Sequence, residues 1–400
     1  MKIAIILRNL MISGGVQRQA ISLAVELVKM GHGVKIYAID YSPENCLPEL
    51  LKNLEVVPLP DSLKKKTSGS FGLINETIMA KRLSGLIDLD TELLHPHDTV
   101  AHHVAYFFKK NVKNIPSVWN MNEFPTTRWP MEMLSFVEDP AYHVIPKKPL
   151  WLKKITFWLR TLYDDFFIRR QDKITVFDTF HQRLLKRYSG MESVIVPSGT
   201  DTEAFPFYKR EPINKKEKFF LLSSGIFSSY RRFEDIIGAV AILVKKGYDV
   251  GLTILGKYET DKKYFRVLNE LIEKLKIKDR VRFLGAYSDL ELLKYFRESH
   301  IFIFPHMQTQ GLSVYEAMLS GIPCIVTPVE GSYKTIEDRK DVIFAEVKNP
   351  TSISDKIEEL IKNGDLYMAI SKQGAETVRS KFSWKKYAED MVRVFEGVRK

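Results

Sequence analysis

The stretch from Ser299 to Thr327, SHIFIFPHMQTQGLSVYEAMLSGIPCIVT, decides how the chain is read. The apolar run Ile301 to Phe304 stops at Pro305, and a polar loop carries Gly311. A helix-patterned segment, Ser313 to Ser320, then ends at Gly321-Ile322-Pro323, and a second apolar run follows. This is strand, loop, helix, strand. Such a unit turns the N-terminus of its helix, with its N–H groups and the positive end of its dipole, toward the crevice above the strands, where a phosphorylated ligand fits. Ser313 and Glu316 also form S-x-x-E, the pattern of a capping box that satisfies helix N–H groups with no ligand at all.

The same grammar opens the chain. Lys2 to Leu7 reads as a buried strand, Ser13-Gly14-Gly15 as a loop, and Ala20, Ile21, Leu23, Ala24, Leu27 and Val28 fall at helical spacing up to Gly31. Val34 to Ile39 is the next strand. The dinucleotide fingerprint G-x-G-x-x-G is absent from this loop. The pattern restarts at Phe219 to Ser224, followed by Gly225, a helix from about Phe233 to Lys246, and strands at Gly251 to Leu255 and Val281 to Leu284. We expect α/β architecture with two Rossmann-like domains built on parallel sheets, residues 1–205 and 206–383. A last helix, about 384–400, is expected to pack back on the first domain. Four hundred residues suit two cores better than one. The charged, proline-containing stretch Phe205 to Lys218 is the expected hinge, and Ser42 to Leu63 reads as loop-rich.

An apolar fraction of 45% with ordinary charge content describes a globular protein, and no run is long enough to cross a bilayer. Arg8 cuts the first apolar run short, so the N-terminus does not read as a signal peptide. Cys46 and Cys324 lack ligand-like spacing, which indicates neither disulfide frame nor zinc and makes a reducing cytoplasm the simplest location. A net charge of +11 implies anionic company: nucleotide phosphates, nucleic acid or acidic lipid. No zinc-finger, basic-zipper or RNA-sheet pattern is present, so no nucleic-acid partner is expected.

The run F-P-x-x-x-x-x-G-L-x-x-x-E-A-M-x-x-G-I-P, from Phe304 to Pro323, resembles the signature of the retaining nucleotide-sugar glycosyltransferases of family 4, the glycosyl transferases group 1. That resemblance implies the GT-B architecture, two Rossmann-like domains facing across a cleft. It also implies transfer of a sugar from a nucleoside diphosphate sugar to a hydroxyl acceptor, glycan or lipid-linked, with retention at the anomeric carbon. Of the two glutamates the family carries eight positions apart, Glu316 matches the one that holds ribose, while Gln308 stands where the sugar-side one is expected. Gly14-Gly15 with Arg18 resembles the family's G-G-x-x-R loop, and Val196 to Asp201 its domain junction. Gly225 to Arg232 resembles its G-R-x-x-x-x-K phosphate clamp, with Arg231 for the lysine and Ile226 for the arginine. Arg232 is the expected second cation. The implied donor-binding set is thus Gly14, Gly15, Arg231, Arg232, Gly311, Leu312, Ser313 and Glu316, with Arg231, Gln308 and Glu316 as the catalytic group. On the acceptor or sugar side stand His97, Asn122, in place of the family's histidine, and Glu123. No Asp-x-Asp motif falls at either crevice, so neither metal nor cofactor is required by this scheme. Ile226, Gln308 and Asn122 together also suit a non-catalytic sugar-nucleotide-binding relative, and an epimerase or phosphorylase would share the architecture.

From Trp151 to Arg170, Trp151, Ile155, Trp158, Leu162 and Phe166 share one helical face, flanked by Lys147, Lys148, Arg169 and Arg170. Such a stripe either packs on its own domain or lies on an anionic membrane surface, placing the protein peripherally at the inner face.

Overall fold

The computed structural model describes residues 1–399 apart from 13, 66–71, 123–158, 160–161, 307–310 and 329–334. The chain divides into two compact units, Met1–Gly199 with Trp384–Lys400, and Thr200–Ser383.

In the first unit, Ile3 to Leu7 are buried without interruption because the strand they form is covered on both sides, the pattern of a central parallel strand. This strand, β1 (Lys2–Leu10), lies between β2 (Gly33–Tyr41) and β4 (Leu93–Pro96), with β3 (Glu55–Pro58) at the edge. A second ladder, β5 (Val118–Asn120), β6 (Lys173–Val176) and β7 (Val194–Ile195), continues from β4 through the parallel bridges Leu94 to Ser117 and His97 to Asn120. All these pairings are parallel. Ile3, Ile5 and Leu7 face the helices Gly15–Lys29 and Trp384–Arg399, where Leu23, Leu27, Tyr387, Met391 and Phe395 close the core. Ala4 and Ile6 face the helices Gly72–Ser84 and Asp98–Asn111. The segment 42–63, read as loop-rich, holds β3. Four residues ending in proline carry little signal, and pairing of Lys35 with Glu55 through Ala38 with Pro58 makes them a strand.

The second unit is a six-stranded parallel sheet in the order β10 (Val281–Leu284), β9 (Val250–Leu255), β8 (Phe219–Ser224), β11 (Ile301–Phe304), β12 (Cys324–Val326), β13 (Ile343–Phe344). The stretch 205–218, expected as the hinge, is bolted into this unit. Phe205 and Ile213 are buried, and the Arg210 guanidinium donates through all three nitrogens to the carbonyls of Phe296 (2.6 Å), Ser320 (2.9 Å), Arg297 and Ser299 (both 3.0 Å) and Gly321 (3.1 Å). Its charge content signalled a linker, yet the charge serves as a buried tie between the ends of two helices and the stretch preceding β12. No helix among the described residues is long and apolar enough to cross a membrane.

Two consequences for stability follow from this burial. An ammonium cannot reproduce the planar fork, so Arg210→Lys is expected to cost about 2–4 kcal/mol, read as a lower urea midpoint for the second unit. In the first unit, burial holds His95 at about 4 and His102 at about 3, with His97 and His103 also well below the usual histidine value. Below about pH 6.5 the unfolded chain therefore takes up protons that the folded chain refuses, and stability falls by up to about 1.4 kcal/mol per pH unit for each histidine. Asp98 works in the opposite sense. Burial pushes its carboxyl up to about 7, so its contribution is present in acid and lost as pH rises toward 7. Four imidazoles outweigh one carboxyl, and the urea midpoint should fall between pH 7 and pH 5. His103→Phe, which keeps the stacking on Phe167 (ring centroids 3.9 Å apart), should make that fall shallower.

Candidate functional site

In the second unit, β8 and β11 are neighbours, yet β8 leads on to β9 on one side and β11 to β12 on the other. Connections that diverge in this way open a crevice at the carboxyl ends of the two strands. The loop after β8 carries Gly225 to Arg232, and the loop after β11 leads through His306 to Gly311. Gly225 has φ +153°, and a Cβ there would meet His306 Cε1 at 3.3 Å and the Arg231 guanidinium carbon at 3.4 Å. Gly256, at the end of β9, is equally required, since a Cβ would lie 1.9 Å from the Gly225 carbonyl oxygen. Arg231 Nη1 lies 2.6 Å from Nδ1 of the fully buried His306.

Arg232, the expected second cation, is engaged by carboxylates of its own loop and helix. It adopts a left-handed backbone (φ 54°), is buried, and is held by Asp235 (2.7 and 3.0 Å) and Glu234 (2.9 Å), while the Tyr264 hydroxyl donates to Glu234 (2.5 Å). Two carboxylates already neutralise it, and its guanidinium braces the start of the helix Phe233–Lys245. Ile226, in the place of the family's arginine, is 53% exposed.

The helix Leu312–Leu319 begins on Gly311, which has extended backbone. A Cβ at Gly311 would strike Phe304 Cζ at 2.3 Å, so only glycine lets the chain pass over the end of β11 into the helix. Because the cap is Gly311, Ser313 lies inside the first turn and the S-x-x-E pattern does not form a capping box. Every residue of this helix is buried except Leu312, Ser313 and Glu316, which share its accessible stripe. Gln308 lies outside the described residues, as does the Val329 to Ser332 loop.

The first unit has its own reversal of strand order, between β1 and β4. Gly14 caps the helix Gly15–Lys29, Gly15 is exposed with open space where a Cβ would stand, and Arg18 is half-buried one turn on. At the end of β4 the structure brings His97 and Asn122 together. Asn122 Nδ2 lies 3.2 Å from His97 Nδ1, and Asn120 Nδ2 donates to Asn122 Oδ1 (2.5 Å) and Gln19 Oε1 (2.9 Å). Thr175 Oγ1 donates to Asn120 Oδ1 (2.8 Å). Burial and the neighbouring His95 hold His97 well below the usual range, so this cluster is uncharged at neutral pH. It offers amide and imidazole groups suited to hydroxyls. Sequence reading missed Gln19, Asn120 and His306. Asn120 and His306 each fall at or just past the carboxyl end of a strand, which was the available signal. Gln19 sits mid-helix and gave none. Glu123 lies outside the described residues.

Comparison with known proteins accords with these two crevices. Residues 13–204 match the family described as Glycosyltransferase Family 4, and residues 204–377 the family Glycosyl transferases group 1. An uncharacterized glycosyltransferase of Haemophilus influenzae is 24% identical over 374 residues, 92% of this chain and 93% of that one. Mannosylfructose-phosphate synthase of Agrobacterium fabrum is 25% identical over 214 residues, 51% of this chain and 47% of the relative, so the match spans about half the length of that protein. Among solved structures, Anabaena Alr3699/HepE in complex with UDP and glucose superposes with a TM-score of 0.75 at 13% identity, over 99% of this chain and 100% of that one. The fold is GT-B, and the chain belongs to the glycosyltransferases of the glycosyl transferases group 1.

Proposed function

We propose that the protein moves a sugar from a nucleoside diphosphate sugar to a hydroxyl acceptor, with retention at the anomeric carbon. The observation that carries this reading is the pairing, at one reversal of strand order, of a guanidinium on the loop after β8 with an accessible Ser313 and Glu316 stripe at the start of the helix after β11. Cleavage of the bond to the diphosphate builds negative charge on the leaving oxygen and positive character on the sugar. Fixed positive groups aimed at that oxygen lower the barrier. Arg231 and the N-terminus of the helix Leu312–Leu319 supply them, Glu316 accepts from ribose hydroxyls, and Gln308 hydrogen-bonds the sugar. The complex of the Anabaena neighbour with UDP and glucose makes UDP the first nucleotide to try. In the first unit, Gly14 and Gly15 admit a ligand to the backbone, and the neutral His97 and Asn122 pair suits an uncharged hydroxyl acceptor.

An acceptor held at an anionic lipid surface fits a second feature. Trp151, Ile155 and Trp158 lie outside the described residues, but Leu159, Leu162 and Phe166 are exposed, and the Arg170 guanidinium lies 3.6 Å over the Phe166 ring beside Arg169. An apolar strip edged with arginines matches the chemistry of an acidic interface.

Calorimetric titration with UDP, GDP, ADP and CDP tests the donor reading. One diphosphate should bind, and Arg231→Ala and Glu316→Ala should each weaken it about 10-fold or more while lowering the melting temperature little. Unchanged affinity in both variants would remove the site assignment, and binding without turnover on any glycan or lipid acceptor would favour a non-catalytic relative. Sedimentation with vesicles tests the lipid surface. Binding should rise with the fraction of acidic lipid and drop for Phe166→Ser/Arg170→Ser, whereas binding insensitive to acidic lipid rejects it.

A further inference from the structure

At the amino ends of β8 and β11, the opposite ends from the crevice, lies a cavity of about 300 Å³. Its wall is built by the chain leading into β8, by the end of the helix Asp289–Glu298 with Ser299 and His300, and by Tyr367. Arg210 stands in that wall with only 7% of its surface exposed. All its N–H groups go to backbone carbonyls, and among the described residues no carboxylate pairs with it. Carbonyl dipoles satisfy the donors but leave the unit charge uncancelled, and burial works against that charge. A second guanidinium is close by, since the Tyr208 ring centroid lies 5.9 Å from that of Arg210 and 6.0 Å from that of Arg297. Arg297 lines the same cavity, as does Lys218, whose ammonium lies 5.6 Å over the Phe220 ring, and among the described residues neither pairs with a carboxylate. The carboxylates of the wall are turned to other partners. Glu211 pairs with Lys209 (3.6 Å), Glu217 accepts from Asn214 (2.7 Å) and Glu298 faces Lys294 (4.0 Å).

His300 adds a donor to the same wall. Its Nδ1 accepts from the backbone N–H of Phe220 (3.1 Å), so the ring proton is on Nε2. Its carbonyl accepts from the Tyr367 hydroxyl (2.8 Å), which fixes the residue against the helix Gly364–Lys381. Burial, and then the charge of Arg210, hold this imidazole below the usual histidine value, so the field of the buried guanidinium reaches the lining. The carbonyls at the end of the helix Asp289–Glu298, which would repel an anion, are covered by Arg210. We propose that this cavity is a binding site for a small anion carrying phosphate or carboxylate groups, held by Lys218, Arg297 and the Nε2–H of His300 against the buried charge of Arg210. Its volume is at the lower end for small-molecule sites and suits a compact metabolite. The six residues of β8 put it about 20 Å from the crevice, so it is independent of the donor site. An anion there bridges the stretch 209–218 to the end of a helix, so its binding stabilises the second unit by mass action.

The test is calorimetric titration of the full chain with inorganic phosphate and with succinate, the ionic strength held constant with sodium chloride, alongside melting temperatures. At least one of the two anions should bind saturably and raise the melting temperature. Tighter phosphate assigns the site to a phosphate compound, and tighter succinate to a carboxylate. Lys218→Gln and Arg297→Gln should each weaken binding about 10-fold. Both side chains are exposed, so without anion these variants should melt with the parent. His300→Asn keeps an acceptor for the Phe220 N–H and removes the Nε2 donor, and it should weaken binding about threefold or more. Arg231→Ala, which alters the crevice at the other end of β8, should leave this affinity within about twofold. Affinity lost in Arg231→Ala and kept in Lys218→Gln and Arg297→Gln would put the anion in the crevice and overturn the proposal. Binding of neither anion beyond the effect of chloride overturns it as well.

Discussion

Between β8 and β11 the crossover connections leave in opposite directions, and a crevice opens where they part. The local chemistry of the second unit depends on that single feature of strand order. Gly225 and Gly311 are required by it, one to make room for His306 and Arg231 beside the end of β8, the other to let the chain clear Phe304 on its way into a helix. With a side chain at either position the loops would have to move apart, and the helix N-terminus and the guanidinium would no longer flank the same junction.

Buried polarity in this protein is consistently matched to a purpose that its type of charge allows. Arg210 is buried where five carbonyl oxygens need donors, so it ties helix ends and the approach to β12 into one body. Arg232 is buried with two carboxylates and braces a turn. The first unit instead gathers neutral imidazoles and amides, His97, Asn120, Asn122 and Gln19, at its own reversal of strand order. Keeping histidines uncharged in an apolar setting has a cost in acid, where the unfolded chain gains protons that the folded chain cannot accept. The second unit instead sets a guanidinium and a helix N-terminus beside its own reversal of strand order.

Much of this was legible beforehand because it rests on local pattern. The continuous apolar runs at Ile3 to Leu7 and Ile301 to Phe304 are short and end at a turn or a proline, as strands covered on both faces do, and glycine directly after a strand marks a close approach of backbone. Three kinds of feature were not legible. β3 is short, ends in proline and exists through pairing with β2. The stretch 205–218 has the composition of a linker, and its burial depends on Arg210 finding carbonyls some 90 to 110 residues away in the chain. Ser313 with Glu316 fits a capping box perfectly well in sequence, and only the position of Gly311 as the actual cap excludes it.

By itself the sequence determined the α/β class, the doubling of a strand-loop-helix unit and the family, since these follow from residue periodicity and from motifs whose spacing survives in one dimension. Tertiary structure alone decided what each of two neighbouring arginines meets. Arg231 and Arg232 differ by one position and not at all in chemistry. What separates them is a left-handed backbone at residue 232 that turns one guanidinium onto Glu234 and Asp235, and a histidine 75 residues away whose Nδ1 meets the other.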